Sequence, residues 1–340
     1  MTKNSESKNI MLIMPDFFQT QSNITKALEK KGYNVFLFSD RPKETRVSKA
    51  LIRINRKLLF LSTEKYINKI LNETKGITFY RVIIINGQSF CKSHLDRLFK
   101  ETKMNKSVFY MWDSIDRYKY TRKFLKLFDY SITFNILDFE NGEFDYFLPL
   151  YIPAEYCNID NNKVLYDLSF IGTARPAKYR HIVEIRKECE RNGLAFFEYL
   201  YLPWKVMFYF YKLTNINFKN AKITEFKFEK MNLSNIKKIY SETEYILDVG
   251  YEYEGGLSLR LFEAIGMNKK IILTNKTIKK YSFFNKSNFF VFDGIINLED
   301  VFFTSTYVDN SLLTNTLTID KWIIRLIEPK MYSKKSEFIV

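Results

Sequence analysis

Residues 245–274 constrain this chain more than any other stretch. An apolar run, Tyr245-Ile246-Leu247-Asp248-Val249, leads through the glycine pair Gly255-Gly256 into the helix-like Leu261-Phe262-Glu263-Ala264-Ile265 and out to a second apolar run, Lys270-Ile271-Ile272-Leu273-Thr274. The order predicts strand, glycine loop, helix, strand. Paired glycines let backbone approach a ligand closely, and the following helix start offers N–H groups and a positive dipole end to an anion. Glu263, inside that helix, is placed to accept hydrogen bonds from hydroxyls, as an acidic residue does for a ribose. These features fit a nucleoside diphosphate site; the same glycines also suit an ordinary strand-to-helix turn.

The rest of the chain repeats the alternation. Ile10–Met14 reads as a buried strand, Ser22–Lys31 as a helix stopped by Gly32, and Asn34–Ser39 as the next strand, a Rossmann-like start. The loop between, Pro15 to Gln21, follows the first strand at the end where open α/β sheets bind ligands, and it carries Asp16. Further strands are predicted at Arg81–Asn86, Ser107–Met111 and Tyr130–Phe134, with helix-like sequence over Ser93–Lys103 and Asp116–Phe128. Two prolines, Pro149 and Pro153, and the polar Asp160-Asn161-Asn162-Lys163 mark a linker. A second series follows: strand Tyr166–Ile171, helix Tyr179–Asn192 stopped at Gly193, helix Ser234–Thr243, the glycine-loop segment, a strand at Asn288–Asp293 and a helix-like tail, Thr318–Glu328. Tyr199 to Lys212 is dense in aromatics; as a helix it is apolar nearly all round, which predicts burial in a core, with a bilayer interface as the alternative.

The run Gly256-Leu257-Ser258-Leu259-Arg260-Leu261-Phe262-Glu263, followed by Lys269-Lys270-Ile271-Ile272-Leu273-Thr274-Asn275, resembles the donor-site segment of GT-B glycosyltransferases, in particular the lipopolysaccharide and capsule biosynthesis group and its spore-maturation (CgeB-like) relatives. Three further segments agree in order and spacing: Phe109 to Ser114, Phe128 to Phe134 with Phe147 to Leu150, and Asp167 to Thr173. The resemblance implies an α/β chain of two Rossmann-like domains facing a cleft: an acceptor domain over 1–155, a nucleotide-sugar donor domain over 163–312, and a tail, 313–340, whose helix returns to the first domain. It implies transfer of a sugar from a nucleotide diphosphate donor to a cell-surface glycan precursor. The larger retaining families carry two glutamates eight positions apart, whereas Glu254 and Glu263 are nine apart, so the role of Glu254 stays open.

The candidate donor-binding residues are Gly172, Thr173, Arg175, Arg180, Glu254, Gly255, Gly256, Leu257, Ser258, Arg260 and Glu263. Gly172 to Arg175 follows a strand and precedes a helix, so its amides suit phosphates, with Arg175, Lys178 or Arg180 as counter-charges. Arg260 is a lone arginine on an apolar helix start and needs an anionic partner. Asp113, closing the Phe109–Met111 strand, and Asp16 are the candidate catalytic bases; Asp113 with Ser114 is equally a helix cap. His94 reads as a helix surface residue. No pair of aspartates is spaced to hold a metal, so metal-free turnover is expected, and no cofactor beyond the nucleotide-sugar substrate.

With 340 residues, 46% of them hydrophobic and 27% charged, the chain is long enough for two ordinary domains. Its net charge of +15 points to a polyanionic partner, although the excess of Lys, Asn, Ile, Phe and Tyr is also what an AT-rich coding sequence produces. An anionic membrane surface fits that charge, and the resemblance implies a glycan or lipid-linked acceptor beside the donor. A basic nucleic-acid-binding protein is the non-enzymatic alternative, but nucleic acid is not an expected partner, since no helix-turn-helix, zinc or OB-fold signature is present. A polyol-phosphate transferase on the same scaffold is the rival enzyme, disfavoured because no histidine lies in the donor segment. Three scattered cysteines, a polar start and the lack of a long apolar run predict a cytoplasmic protein, peripheral on the inner membrane face.

Overall fold

The computed structural model describes residues 8–15, 19–43, 45, 48, 51–52, 55–157, 159, 163–250, 255–309, 311–331 and 338–339. Over these, the strands form two six-stranded sheets in which every strand pairing is parallel. The chain divides into two compact units, Met1–Leu150 with Ile319–Glu337, and Tyr151–Thr318 with Phe338–Val340. It is an α/β protein of two Rossmann-like domains.

The first unit holds β1 (Asn9–Met14), β2 (Asn34–Ser39), β3 (Thr78–Ile85), β4 (Lys103–Met111), β5 (Tyr130–Thr133) and β6 (Tyr146–Phe147), in the order β2-β1-β3-β4-β5-β6. Ile10 to Met14 and Val82 to Ile85 are fully buried, which is why these strands read as unbroken apolar runs: helices cover both faces of a parallel sheet. The strand order reverses between β1 and β3, where open sheets of this kind leave a crevice at their carboxyl ends. The helix Ile319–Ile327 belongs to this unit, with Trp322 fully buried, its Nε1 donating to Pro149 O at 2.9 Å and its ring edge-on to Tyr110. Arg81, itself buried, ties that helix to β3 through Ile327 O at 2.9 Å and the Glu328 carboxylate at 2.5 Å.

The second unit holds β7 (Tyr166–Thr173), β8 (Phe196–Tyr201), β9 (Phe226–Lys227), β10 (Thr243–Asp248), β11 (Lys270–Leu273) and β12 (Phe289–Val291), in the order β12-β11-β10-β7-β8-β9. From β7 the chain builds outward through β8 and β9, then returns to add β10, β11 and β12 on the other side. The reversal therefore falls between β7 and β10. Helix Pro176–Asn192 starts on a proline, which tolerates the first turn because it has no N–H to satisfy there, and ends on Gly193 at φ 67, the left-handed cap that glycine adopts without strain.

Three expectations are corrected. The aromatic stretch is not one buried helix: Phe196–Tyr201 is strand β8, Pro203 breaks the run, and the helix begins only at Lys205, spanning Lys205–Thr214. Phe208 alone on that helix is buried. Asp116–Phe128 forms turns and two 3-10 segments, Lys119–Lys123 and Leu125–Leu127, rather than an α-helix. Tertiary anchors override its helical pattern: the Tyr120 hydroxyl donates to Gln88 O at 2.9 Å, while Phe124 and Phe128 both pack on Phe109. His94 is fully buried, not on the surface. Its Nδ1 accepts from Cys91 N at 3.2 Å, capping the helix Lys92–Glu101, its ring lies 4.5 Å from that of Phe60, and burial pushes its pKa down. Among the described residues, no helix is long and apolar enough to cross a membrane.

Candidate functional site

The switch point of the second sheet gathers most of the residues singled out in sequence. Helix Leu259–Gly266 leaves Ser258, whose Oγ accepts from Leu261 N at 3.4 Å. Leu261, Phe262, Ala264 and Ile265 face the core, and that requirement sets the helix rotation so that Arg260 and Glu263, three residues apart, share the less buried side.

Arg260 is held by groups from three other elements. Its Nε donates to the Tyr240 hydroxyl at 3.0 Å, its Nη2 to Ile171 O near the end of β7, and its Nη1 lies 3.8 Å from Asp248 Oδ1 at the end of β10. The guanidinium also stands over the Phe170 ring at 5.1 Å. A Cβ on Gly172 would lie 2.8 Å from Arg260 Nη2, so the glycine keeps the space this guanidinium occupies. Two predicted residues far apart in sequence thus depend on each other. Burial works against the charge on Arg260, but Tyr240, Asp248 and Glu263 outweigh it and raise its pKa. Burial likewise pushes the Tyr240 phenol up to about 12. Asp248 is 2% exposed, and its Oδ1 has no hydrogen-bond partner among the described residues.

The Glu263 carboxyl is half-buried and pushed up to about 7, first by desolvation and then by Glu155 and Asp248, against the pull of Arg260 and a hydrogen bond from Tyr156. Glu155 and Tyr156 reach it because Gly266, one turn further along the helix, has no side chain: a Cβ there would lie 2.7 Å from Ile152 Cγ2 and 3.4 Å from Tyr156 O. Burial and the neighbouring Glu263 in turn push the Tyr156 phenol up.

The glycine turn is tied from behind. Thr277 Oγ1 donates to Gly255 O at 3.1 Å, Tyr281 Oη to the same carbonyl at 3.4 Å, and Asn275 Nδ2 to Gly256 O at 3.0 Å. In a trans peptide the N–H points opposite to the carbonyl, so the amides of Gly256 and Leu257 are turned away from the Asn275–Tyr281 side. Glu254 lies outside the described residues, as does Asp16.

The remaining donor candidates are more scattered. Thr173 is exposed at the end of β7, its carbonyl accepting from Arg175 N at 3.1 Å, and Arg175 precedes Pro176 at the start of its helix. Arg180 lies 3.9 Å from Glu184 and lines a separate surface cavity of about 590 Å³ with Lys187, Asn217 and Lys222.

In the first unit Asp113 sits beyond the end of β4, and it does not act as the cap of an α-helix, since none follows. Its carboxylate accepts from Asn86 Nδ2 at 3.2 Å, Gln88 Nε2 at 3.5 Å and Arg117 Nη1 at 3.2 Å. Asn86 adopts φ 62 directly after β3, which swings both its amide groups toward β4: Oδ1 accepts from Trp112 N at 3.0 Å. Gln88 also accepts, through Oε1, from Arg41 Nη2 at 3.4 Å, and its N–H donates to Asp40 at 3.2 Å. Among the described residues no cluster of His, Cys, Asp and Glu is arranged to hold a metal ion.

No protein-family model matches the chain, and no curated protein matches its sequence. In structure it resembles OtsA in its apo form, with a TM-score of 0.62 at 9% identity over 94% of this chain and 98% of that one. It also resembles the apo lipopolysaccharide outer core galactosyltransferase WaaB, with a TM-score of 0.55 at 12% identity over 94% and 95% of the two chains. The fold is GT-B. The same likeness extends to UDP-GlcNAc 2-epimerase from Methanocaldococcus jannaschii, with a TM-score of 0.50 at 10% identity over 96% and 100%. A GT-B fold at such identities leaves the reaction to be argued from the residues.

Asp248, Tyr240, Glu155, Tyr156 and Gly266 did not stand out in the sequence. Only Asp248 carried a signal there, a carboxylate interrupting the apolar run of a buried strand just where that strand ends.

Proposed function

We propose that the chain is a metal-independent glycosyltransferase that takes a sugar from a nucleoside diphosphate donor and passes it to a lipopolysaccharide or capsule precursor, in the manner of the CgeB-like group. The observation that carries this reading is the joint placement of Arg260 and Glu263 on one helix face at the β7–β10 switch point, beside a glycine turn whose carbonyls are tied back. The turned-out amides of Gly256 and Leu257, with that of Thr173, hold the diphosphate, while Gly172, whose own N–H faces β8, leaves room for Arg260. Arg260 supplies fixed positive charge behind them as the leaving group departs. Glu263, with its raised pKa, binds a donor hydroxyl. Asp113 takes the acceptor proton, with Asp16 as the second candidate.

The epimerase likeness favours one rival: chemistry on a UDP-sugar without any acceptor. Incubation with a panel of nucleotide sugars, followed by product analysis, separates the two. Transfer that requires an added acceptor and persists in chelator is the expected result. A C2 epimer formed from donor alone overturns transfer, and activity lost to chelator and restored by manganese or magnesium overturns metal independence.

A further inference from the structure

Helix Lys205–Thr214 carries two apolar stripes, and its own domain uses one. Phe208 is buried, and Met207 and Tyr211 are packed against the core cluster built around Phe218 and Phe226. On the other side Val206, Tyr209, Phe210 and Leu213 are 76%, 54%, 59% and 87% exposed. Their spacing is i, i+3, i+4, i+7, the period of a helix face that is meant to be covered. Trp204, 42% exposed, and Ile216, 78% exposed, lie just outside the helix at its two ends. Singly exposed apolar side chains need no explanation, but four in helical register do.

The charge around the stripe identifies what covers it. From Pro203 to Thr224 there is no Asp or Glu, while Lys205, Lys219 and Lys222 are exposed. Lys212 folds back, its Nζ donating to Ala221 O at 2.7 Å, and so stays off the stripe. An apolar stripe preceded by a tryptophan, in a segment whose charged residues are all cations, is the composition of a helix that lies in the headgroup region of an anionic bilayer. We propose that this helix docks the protein on an anionic membrane surface, with Val206, Tyr209, Phe210 and Leu213 entering the acyl boundary and Lys205, Lys219 and Lys222 meeting the headgroups. This inference stands on the helix and its flanks alone and does not depend on the donor site.

Flotation with vesicles of phosphatidylcholine and phosphatidylglycerol, three parts to one, tests it, beside vesicles of phosphatidylcholine alone. The full chain is expected to float with the anionic vesicles, less so as salt rises, and in a W112F background Trp204 emission should shift to the blue, Trp322 being fully buried. F210S with L213S removes two exposed side chains and should lower partitioning by about a hundredfold, while K219A with K222A should weaken it and flatten its salt dependence. Both variants should keep the parent melting temperature. No flotation of the parent, or undiminished flotation of F210S/L213S, overturns the proposal. So does a parent dimer that F210S/L213S converts to monomer, since a second copy would then be what covers the stripe.

Discussion

The carboxyl ends of the two sheets do opposite things with polar residues. In the first sheet Asp113, beyond the end of β4, gathers amide donors from Asn86 and Gln88 and a cation from Arg117, leaving its carboxylate 19% exposed among groups that stabilise its charge. At the switch point of the second sheet, glycine clears the way for a guanidinium held against Asp248, and the nearby Glu263 is desolvated until its pKa reaches about 7. The contrast shows two ways in which one doubly wound scaffold fixes a charged side chain at its strand ends: hydrogen-bond donors gathered around a carboxylate, or side chains left out around a cation.

The strongest way to break the comparison is D113N. If Asp113 is where the proton goes, single-turnover transfer should slow by roughly 10²-fold or more, while the melting shift produced by a nucleoside diphosphate stays as in the parent. An unchanged rate would dissociate Asp113 from the chemistry and send the search to Asp16. The complementary change is Glu263→Ala. With ligand at a hundred times its Kd the parent should gain about 2.7 kcal/mol of stability, and the variant should gain none while remaining folded; a full shift in the variant would remove the donor from this switch point.

Gly172→Ala sharpens the comparison on the second side. Its Cβ would stand 2.8 Å from a guanidinium held by Tyr240, Ile171 and Asp248, so neither partner can yield without losing a contact. A loss of about 1–3 kcal/mol is expected from overpacking, read as a lower melting temperature together with a weaker nucleotide shift. A variant as stable as the parent would show that the guanidinium is not held there.

The smallest effect is in pH. Glu263 has its folded pKa raised from 4.5 to about 7, so the folded state holds the extra proton in that window and stability from this group falls as pH rises through it. His94 is lowered, so its contribution is present above the unfolded value of about 6.5 and lost as pH falls below it. Glu263→Gln should flatten the melting-temperature profile on its neutral side and H94Q on its acid side. A Glu263→Gln profile parallel to the parent's between pH 5 and 7 would mean that the carboxyl is not desolvated.

Much of the chain was legible without coordinates. Strands such as Ile10 to Met14 and Lys270 to Leu273 are read from local apolar runs, and the end of helix Pro176–Asn192 from Gly193. These are decided by neighbours in sequence, through backbone sterics and helix geometry. What the sequence could not show was decided across long separations. Asp248 and Gly172 meet at Arg260 because parallel pairing of β7 with β10 sets their strand ends side by side, Tyr240 joins them from helix Leu233–Ser241, and Glu155 and Tyr156 reach Glu263 only because Gly266 leaves room for them. The apolar helix after Pro203 was visible as a composition, but which of its stripes the core takes depends on where Phe218 and Phe226 stand, and burial is a property of the packed chain, not of the residue.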